Sequence, residues 1–280
     1  MALLEIRNLT KVFPTGTSPF GGARGEVRAV DDVSLDIQAG ETLGLVGESG
    51  SGKSTLGRLA LRLIEPSSGS VQFDGLNILA AGNQEMRRLR REMQIIFQDP
   101  FGSLDPRMTV EQIITEPMRT HAENGRATAP TSRVSAWTGP ERRVSPYRQQ
   151  AAELMRAVGL EESALRRYPH EFSGGQRQRI GIARALALRP RFIVADEPVS
   201  ALDVSVGAQI VNLLARLQRE YGLTYLFISH SMPIVRYLST RIAVMYRGKI
   251  VEINSTELIT ENPQHEYTRT LLAATPEIAV

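Results

Sequence analysis

The sequence predicts an α/β fold with a largely parallel sheet. Short apolar runs typical of buried parallel strands alternate with segments whose apolar residues recur at the spacing of one helix face. A glycine-rich loop joins the first of these strands to a helix, and polar residues directly follow three later strands. Because ligands of such sheets bind beyond the carboxyl ends of the strands, we expect the loop and the polar residues to share one crevice.

Composition limits the classes of protein to consider. The chain has 280 residues, of which 42% are hydrophobic and 22% charged, enough for one large domain or two small ones. It contains no cysteine, which excludes disulfides, thiolate metal sites and thiol catalysis. A net charge of +3 does not require a nucleic-acid partner. We find neither an apolar run of membrane-spanning length nor a secretion signal, so the expected location is the cytosol.

The glycine-rich loop fits the pattern G-x-x-x-x-G-K-[ST], which binds the phosphates of a nucleotide. Its residues are Gly47, Glu48, Ser49, Gly50, Ser51, Gly52, Lys53, Ser54 and Thr55. An apolar strand over 42–46 precedes it, and helical spacing over 56–64 follows. At such a junction, backbone N–H groups and the helix dipole favour an anion. Lys53 can reach the β- and γ-phosphates, and the Ser54 hydroxyl can bind Mg²⁺.

A pair of carboxylates follows the apolar strand over 192–195. Asp196 can hold Mg²⁺ through its water shell, as the acidic residue of phosphate-loop hydrolases does. Glu197 can orient the attacking water or accept its proton. Together with the loop, this pair predicts hydrolysis of a bound nucleotide with the aid of Mg²⁺.

Local patterns also predict where several elements begin and end. We expect a Gly/Pro/Ser-rich loop over 14–25 and a helix over 109–118 that stops at or near Pro117. We expect an irregular surface loop over 121–146, because its apolar content is low. A long amphipathic helix should end near Gly222, and a hairpin should turn at Arg247-Gly248.

With these residues in place, the chain resembles the ATP-binding subunits of ABC transporters over nearly its whole length. The discriminating stretch is Ser173-Gly174-Gly175-Gln176, which is similar to the signature motif of that family. The resemblance implies a phosphate-loop core with an antiparallel β subdomain and an inserted helical subdomain. It also implies that the signature residues bind the γ-phosphate held by a second subunit, so that two head-to-tail chains enclose ATP.

Four further residues take family roles by resemblance. Gln98 resembles the Q-loop glutamine, a Mg²⁺ contact that also senses the transmembrane partner. Asp203 belongs to a stretch that resembles the D-loop, which crosses the dimer interface. His230 resembles the switch histidine that contacts the γ-phosphate. Phe13 lies where the family places an aromatic ring that stacks on adenine; the alternative is that it is simply a core residue.

Within the family, the chain most resembles the peptide importer group, which includes oligopeptide, dipeptide and nickel-type systems. The stretches that carry this resemblance are 97–107, 167–172, 196–205 and 262–269. It implies an ATP-binding domain over 1–254, a helical subdomain over about 99–180 and a C-terminal extension over 255–280.

The implied partners are a second ATPase subunit, two transmembrane permease subunits and, indirectly, an external solute-binding protein, without nucleic acid. The implied location is peripheral, on the cytoplasmic face of the cell membrane. The alternative is a non-transport ABC ATPase that acts on nucleic acid or ribosomes.

Overall fold

The computed structural model describes residues 2–17, 23–122 and 147–274, whose strands form two sheets. The strands are β1 (Ala2–Thr17), β2 (Ala23–Gln38), β3 (Thr42–Val46), β4 (Ser68–Phe73), β5 (Leu76–Asn77), β6 (Met93–Ile96), β7 (Phe192–Asp196), β8 (Thr224–Ile228), β9 (Arg241–Tyr246) and β10 (Lys249–Ser255). The α-helices are α1 (Lys53–Ala60), α2 (Asn83–Glu92), α3 (Val110–Thr120), α4 (Arg148–Ala157), α5 (Gly174–Leu186), α6 (Val204–Tyr221), α7 (Met232–Leu238), α8 (Thr256–Glu261) and α9 (Glu266–Ala273).

The larger sheet has six strands in the order β10-β9-β3-β8-β7-β6. The strands from β9 to β6 are parallel to one another, and only β10 runs antiparallel, as the second strand of the predicted hairpin. Every residue of β3, β7 and β8 is buried, as expected for strands covered on both faces. This sheet confirms the predicted α/β fold.

The smaller sheet is antiparallel, with the order β2-β1-β4-β5. Its apolar residues, such as Leu4, Ile6 and Phe73, share one buried cluster with Leu45 of β3 and Leu56 of α1. The antiparallel sheet therefore packs with α1 against one face of the parallel sheet. A second buried cluster contains residues of β7, β8 and helices α3 to α7.

Helices α3, α4 and α5 lie between β6 and β7 in the chain and pack on one another. Ile113, Met155 and Ile180 are fully or almost fully buried in their shared core. A helical unit thus interrupts the succession of parallel strands, as the family resemblance predicts. The predicted surface loop over 121–146 lies outside the described residues except for its first two positions.

The expected loop over 14–25 is wrong where the structure describes it. Strand β1 continues to Thr17 and β2 begins at Ala23, and Pro14 is paired with Glu26. Proline has no N–H to donate to a neighbouring strand. It is therefore tolerated in a sheet at an edge, where one side of the strand has no partner. The pairing of β1 with β4 ends at Thr10, which leaves Pro14 with β2 as its ladder partner.

The boundaries of two helices also differ from expectation. Helix α1 begins at Lys53, inside the glycine-rich loop, and ends at Ala60 rather than at residue 64. Helix α3 runs through Pro117 to Thr120 instead of stopping there. Proline removes one hydrogen bond of the helix, but burial of Ile114 and Met118 on either side of it stabilises the continuous helix.

Candidate active site

The glycine-rich loop connects the buried strand β3 directly to helix α1. A Cβ on Gly47 would lie 2.1 Å from the Met245 carbonyl oxygen, and one on Gly52 would lie 2.0 Å from the Ala29 carbonyl oxygen. Gly52 also has a φ of +108°, which L side chains rarely adopt. These positions therefore accept only glycine, and they bring the first turn of α1 to the end of the sheet.

Lys53 folds back over this loop. Its Nζ donates hydrogen bonds to the carbonyl oxygens of Gly47 and Glu48, each at 2.8 Å, and the residue is only 4% exposed. Burial lowers the pKa of Lys53, while the carboxylates of Glu197 and Asp196 partly oppose that shift. A phosphate in the loop would act in the same sense as these carboxylates and favour the charged ammonium.

Ser54 and Asp196 meet between α1 and the end of β7. The Ser54 hydroxyl donates a 2.7 Å hydrogen bond to Asp196 Oδ1. Burial raises the pKa of Asp196, against the effect of that hydrogen bond. A hydroxyl beside a buried carboxylate is a set of hard oxygen donors that suits Mg²⁺. Within the described residues, no cluster of three or more acidic or histidine side chains could bind a metal ion.

Glu197 lies at the centre of a second set of contacts. Its Oε2 accepts a 3.2 Å hydrogen bond from Gln98 Nε2 and lies 3.1 Å from His230 Nδ1. Glu197 has a φ of +45°, a conformation that costs a non-glycine residue about 1–3 kcal/mol and is most frequent at functional sites. The Glu197 N–H donates to the Ile228 carbonyl at 3.0 Å, which stabilises this turn. The carboxylate is thus held between two polar side chains at the end of the sheet.

The order of strands explains why these residues converge. The glycine-rich loop follows β3, His230 follows β8, Asp196 ends β7 and is followed by Glu197, and Gln98 follows β6. These four strands are consecutive neighbours in the sheet and point the same way. The structure therefore brings the predicted phosphate, metal and catalytic residues to one edge.

Ser173 begins helix α5 as its N-cap. Its hydroxyl accepts from the Gln176 N–H at 3.4 Å, and the Gln176 side-chain oxygen accepts from the Ser173 N–H at 3.0 Å. A Cβ on Gly175 would lie 2.3 Å from Val206 Cγ1, so α5 approaches α6 closely here. Asp203 is the N-cap of α6 and makes no side-chain capping bond. The signature and D-loop stretches therefore adjoin one another within one chain.

Phe13 lies on β1, where its side chain is 38% exposed and Lys11 Nζ is 5.0 Å from the ring centre. The residue thus belongs to neither of the two buried clusters.

Sequence reasoning missed a side chain that contacts the glycine-rich loop. The Glu48 N–H donates a 3.1 Å hydrogen bond to the hydroxyl of Tyr267, on helix α9. The stretch around Tyr267 was recognisable as part of a peptide-importer tail, but nothing in the sequence indicates which element it packs against.

The fold and this site define a phosphate-loop nucleotide hydrolase. The family described as "ABC transporter" matches residues 30–200, more than half of the chain. The chain belongs to that family, and it is an ATPase.

Two curated relatives illustrate the similarity. The chain is 52% identical over 275 residues to the oligopeptide transport ATP-binding protein OppF of Bacillus subtilis, covering 98% of this chain and 82% of that protein. It is also 52% identical over 274 residues to the glutathione import ATP-binding protein GsiA of Salmonella paratyphi A. That match covers 98% of this chain but only 41% of the relative's length.

A solved structure shares the fold. The dimeric post-hydrolysis state of the ATP-binding cassette MJ0796 bound to ADP and Pi has a TM-score of 0.74 and 29% identity. The similarity covers 90% of this chain and 98% of that one. Within the described residues, no helix combines the length and the apolar character that crossing a membrane requires.

Proposed function

We propose that this protein is the ATP-hydrolysing subunit of an importer for oligopeptides, dipeptides or a related small solute. The observation that carries the proposal is 52% identity along 98% of the chain to a relative named for oligopeptide transport. The assignment of residues 1–254 to the ATP-binding domain, with a helical subdomain over about 99–180, and of 255–280 to a tail of the peptide-importer type is part of the same proposal.

The phosphate chemistry follows from the contacts at the sheet edge. The loop over 47–55 wraps the phosphates of ATP, and Lys53 moves its ammonium from the loop carbonyls to the β- and γ-phosphates. Ser54 and Asp196 hold Mg²⁺, aided by Gln98. Held there, Mg²⁺ would supply positive charge to offset the charge that develops on the phosphate oxygens. Phe13 stacks on the adenine ring.

Glu197 is the proposed general base. Gln98 and His230 both contact its Oε2, so Oε1 remains to accept a proton from the attacking water or to orient it. Since these contacts fix the carboxylate before the reaction, little reorganisation is required in the transition state. His230 also contacts the γ-phosphate in this proposal.

A second ATPase subunit completes each site. Ser173, Gly174, Gly175 and Gln176 of one subunit bind the γ-phosphate held by the other, while Asp203 lies at the interface. The relative MJ0796 is described as dimeric with ADP and Pi, which supports such a pairing. Two permease subunits would provide the membrane path, and a solute-binding protein would deliver the solute from outside. The subunit itself would lie on the cytoplasmic face of the membrane.

The Glu197→Gln variant tests the catalytic assignment. An amide oxygen preserves the contacts with Gln98 and His230 but cannot act as a base, so turnover should fall about 10²–10⁴-fold while ATP binding and ATP-dependent dimerisation persist. Glu220→Gln is the matched control, since Glu220 is an exposed residue paired with Arg216. Hydrolysis at near wild-type rate in Glu197→Gln would show that another group is the base.

A reconstitution experiment tests the transport assignment. The tagged chain is isolated from membranes, the proteins that accompany it are identified, and the complex is placed in liposomes with ATP. We expect permease subunits to co-purify and radiolabelled peptide to be taken up, with uptake abolished in Glu197→Gln. Co-purification with ribosomes or nucleic acid, without membrane proteins, would instead favour the non-transport alternative.

A further inference from the structure

The Tyr267 side chain of helix α9 reaches the phosphate loop. The Tyr267 hydroxyl accepts a 3.1 Å hydrogen bond from the backbone N–H of Glu48, a residue 219 positions earlier. The Tyr267 ring also stacks on Tyr246, with centroids 4.1 Å apart and an interplanar angle of 30°. Because Tyr246 ends β9, which pairs with β3, this stacking places Tyr267 beside the strand that leads into the loop.

A carboxylate on β10 fixes the start of α9. Glu252 accepts hydrogen bonds from the backbone N–H groups of Gln264, at 2.8 Å, and His265, at 3.0 Å. His265 in turn caps the helix, with its Nδ1 accepting from the Tyr267 N–H at 3.1 Å. Charge-assisted bonds of this kind are about twice as strong as neutral ones. Tyr267 is therefore held from its backbone as well as from its ring.

The C-terminal part of the chain holds the loop at two points. The Gly248 N–H, in the turn between β9 and β10, donates to the Ser51 carbonyl at 2.9 Å. Tyr267 holds the Glu48 N–H, while the Glu48 carbonyl accepts from Lys53 Nζ at 2.8 Å. When Lys53 moves to a phosphate, the Glu48 carbonyl keeps the 3.2 Å hydrogen bond from the Ser51 N–H, which lies within the loop itself. The bond to Tyr267 then links this first part of the loop to the C-terminal part of the chain.

We propose that Tyr267 is a positioning residue for the phosphate loop, and that the docked tail keeps the loop ready for the phosphates of ATP through it. If only a fraction of the free protein has the binding-competent conformation of the loop, the apparent affinity for ATP is reduced by that fraction. The hydroxyl contributes one neutral hydrogen bond, so its removal should weaken ATP binding about three- to tenfold. Turnover at saturating ATP should change by less than about twofold, because Tyr267 contacts no reacting atom.

The Tyr267→Phe variant removes this hydroxyl and leaves the ring to stack on Tyr246. The matched control is Tyr237→Phe. The Tyr237 hydroxyl, on α7, donates a 2.8 Å hydrogen bond to the Asn212 side chain, on α6. Calorimetric titration with ATP gives Kd, and steady-state hydrolysis separates KM from kcat. We expect Kd and KM to rise together in Tyr267→Phe alone. Unchanged Kd, or a fall in kcat without a rise in KM, would overturn the proposal.

A double-mutant cycle tests whether Glu252 places Tyr267. Glu252→Gln weakens the contact that fixes the start of α9, so it should also raise the Kd for ATP. Adding Tyr267→Phe to it should then have a smaller effect than in the wild-type background, because interacting residues are not additive. Fully additive effects would show that the hydroxyl acts independently of the docked tail and would overturn this part of the proposal.

Discussion

The close approach of helices α5 and α6 allows a sharp prediction about Gly175. A Cβ at this position would lie 2.3 Å from Val206 Cγ1. Carbon atoms normally approach only to about 3.5–4.0 Å, so alanine requires the two helices to separate by about 1 Å or Val206 to change its rotamer. Gly181 lies on the same helix, and an added Cβ there would meet no atom within 4 Å. Gly181→Ala is therefore the matched control.

The magnitude follows from two opposing terms. Replacing glycine by alanine inside a helix stabilises it by up to about 1 kcal/mol. Inserting a methyl group into a packed contact costs about 1–3 kcal/mol. Gly181→Ala should therefore raise the free energy of unfolding by up to about 1 kcal/mol. Gly175→Ala should lower it by up to about 2 kcal/mol, and the two variants should differ by at least about 1 kcal/mol.

Urea unfolding followed by circular dichroism measures both free energies. Gly175 also belongs to the proposed γ-phosphate contact with the second subunit, so Gly175→Ala should lose ATP-dependent dimerisation while Gly181→Ala retains it. If the two variants unfold at equal urea concentrations, with equal slopes, the inferred packing of α5 on α6 is wrong.

Two further predictions concern charged groups. Lys53→Ala should weaken ATP binding more than about tenfold, because it removes a charge-assisted hydrogen bond to phosphate. Unchanged affinity in an equilibrium titration would contradict the phosphate role of Lys53. Glu252 should make stability depend on pH. Burial alone would raise the pKa of Glu252, but the backbone N–H groups of Gln264 and His265 hold it below its ordinary value of 4.5. Its ionised form thus stabilises the folded state above pH 4.5, and this contribution is lost as pH falls through the folded pKa. The difference in free energy of unfolding between wild type and Glu252→Gln should shrink below that pH and stay constant above about pH 6. Chemical unfolding at several pH values measures this difference. A difference that does not change with pH would contradict the prediction.

Much of the site could be predicted because its signals are local. The nine residues of the phosphate loop are contiguous, and the strands before Gly47, Asp196 and His230 are short apolar runs that are buried throughout. The rule that parallel strands present their carboxyl ends on one edge then predicts that Ser54 and Asp196 lie together. The structure gives 2.7 Å between their oxygens.

The features that escaped prediction depend on partners distant in sequence. Pro14 is part of a strand because β2 supplies a ladder, and Pro117 is inside a helix because buried neighbours stabilise it. Local preference for turns or helix ends is a weaker term than these contacts. Tyr267 is the extreme case, since its partner Glu48 is 219 residues away and the bond uses a backbone N–H that any residue would offer.

The position of the signature turn is itself an argument for a second subunit. The four strand ends of one chain supply the phosphate loop, the proposed metal ligands and the proposed base, but the turn at Ser173 lies at the start of α5 instead. In the described residues, no hydrogen bond or ion pair joins that turn to the phosphate loop, and no acidic side chain occupies the first turn of α5. The positive end of the helix dipole there favours an anion, and Val204 next to Asp203 is 90% exposed although it is apolar. A head-to-tail second copy would cover Val204 and bring its own bound triphosphate to Ser173. In the proposed pairing the symmetry operation is reciprocal, so the same contact would form twice.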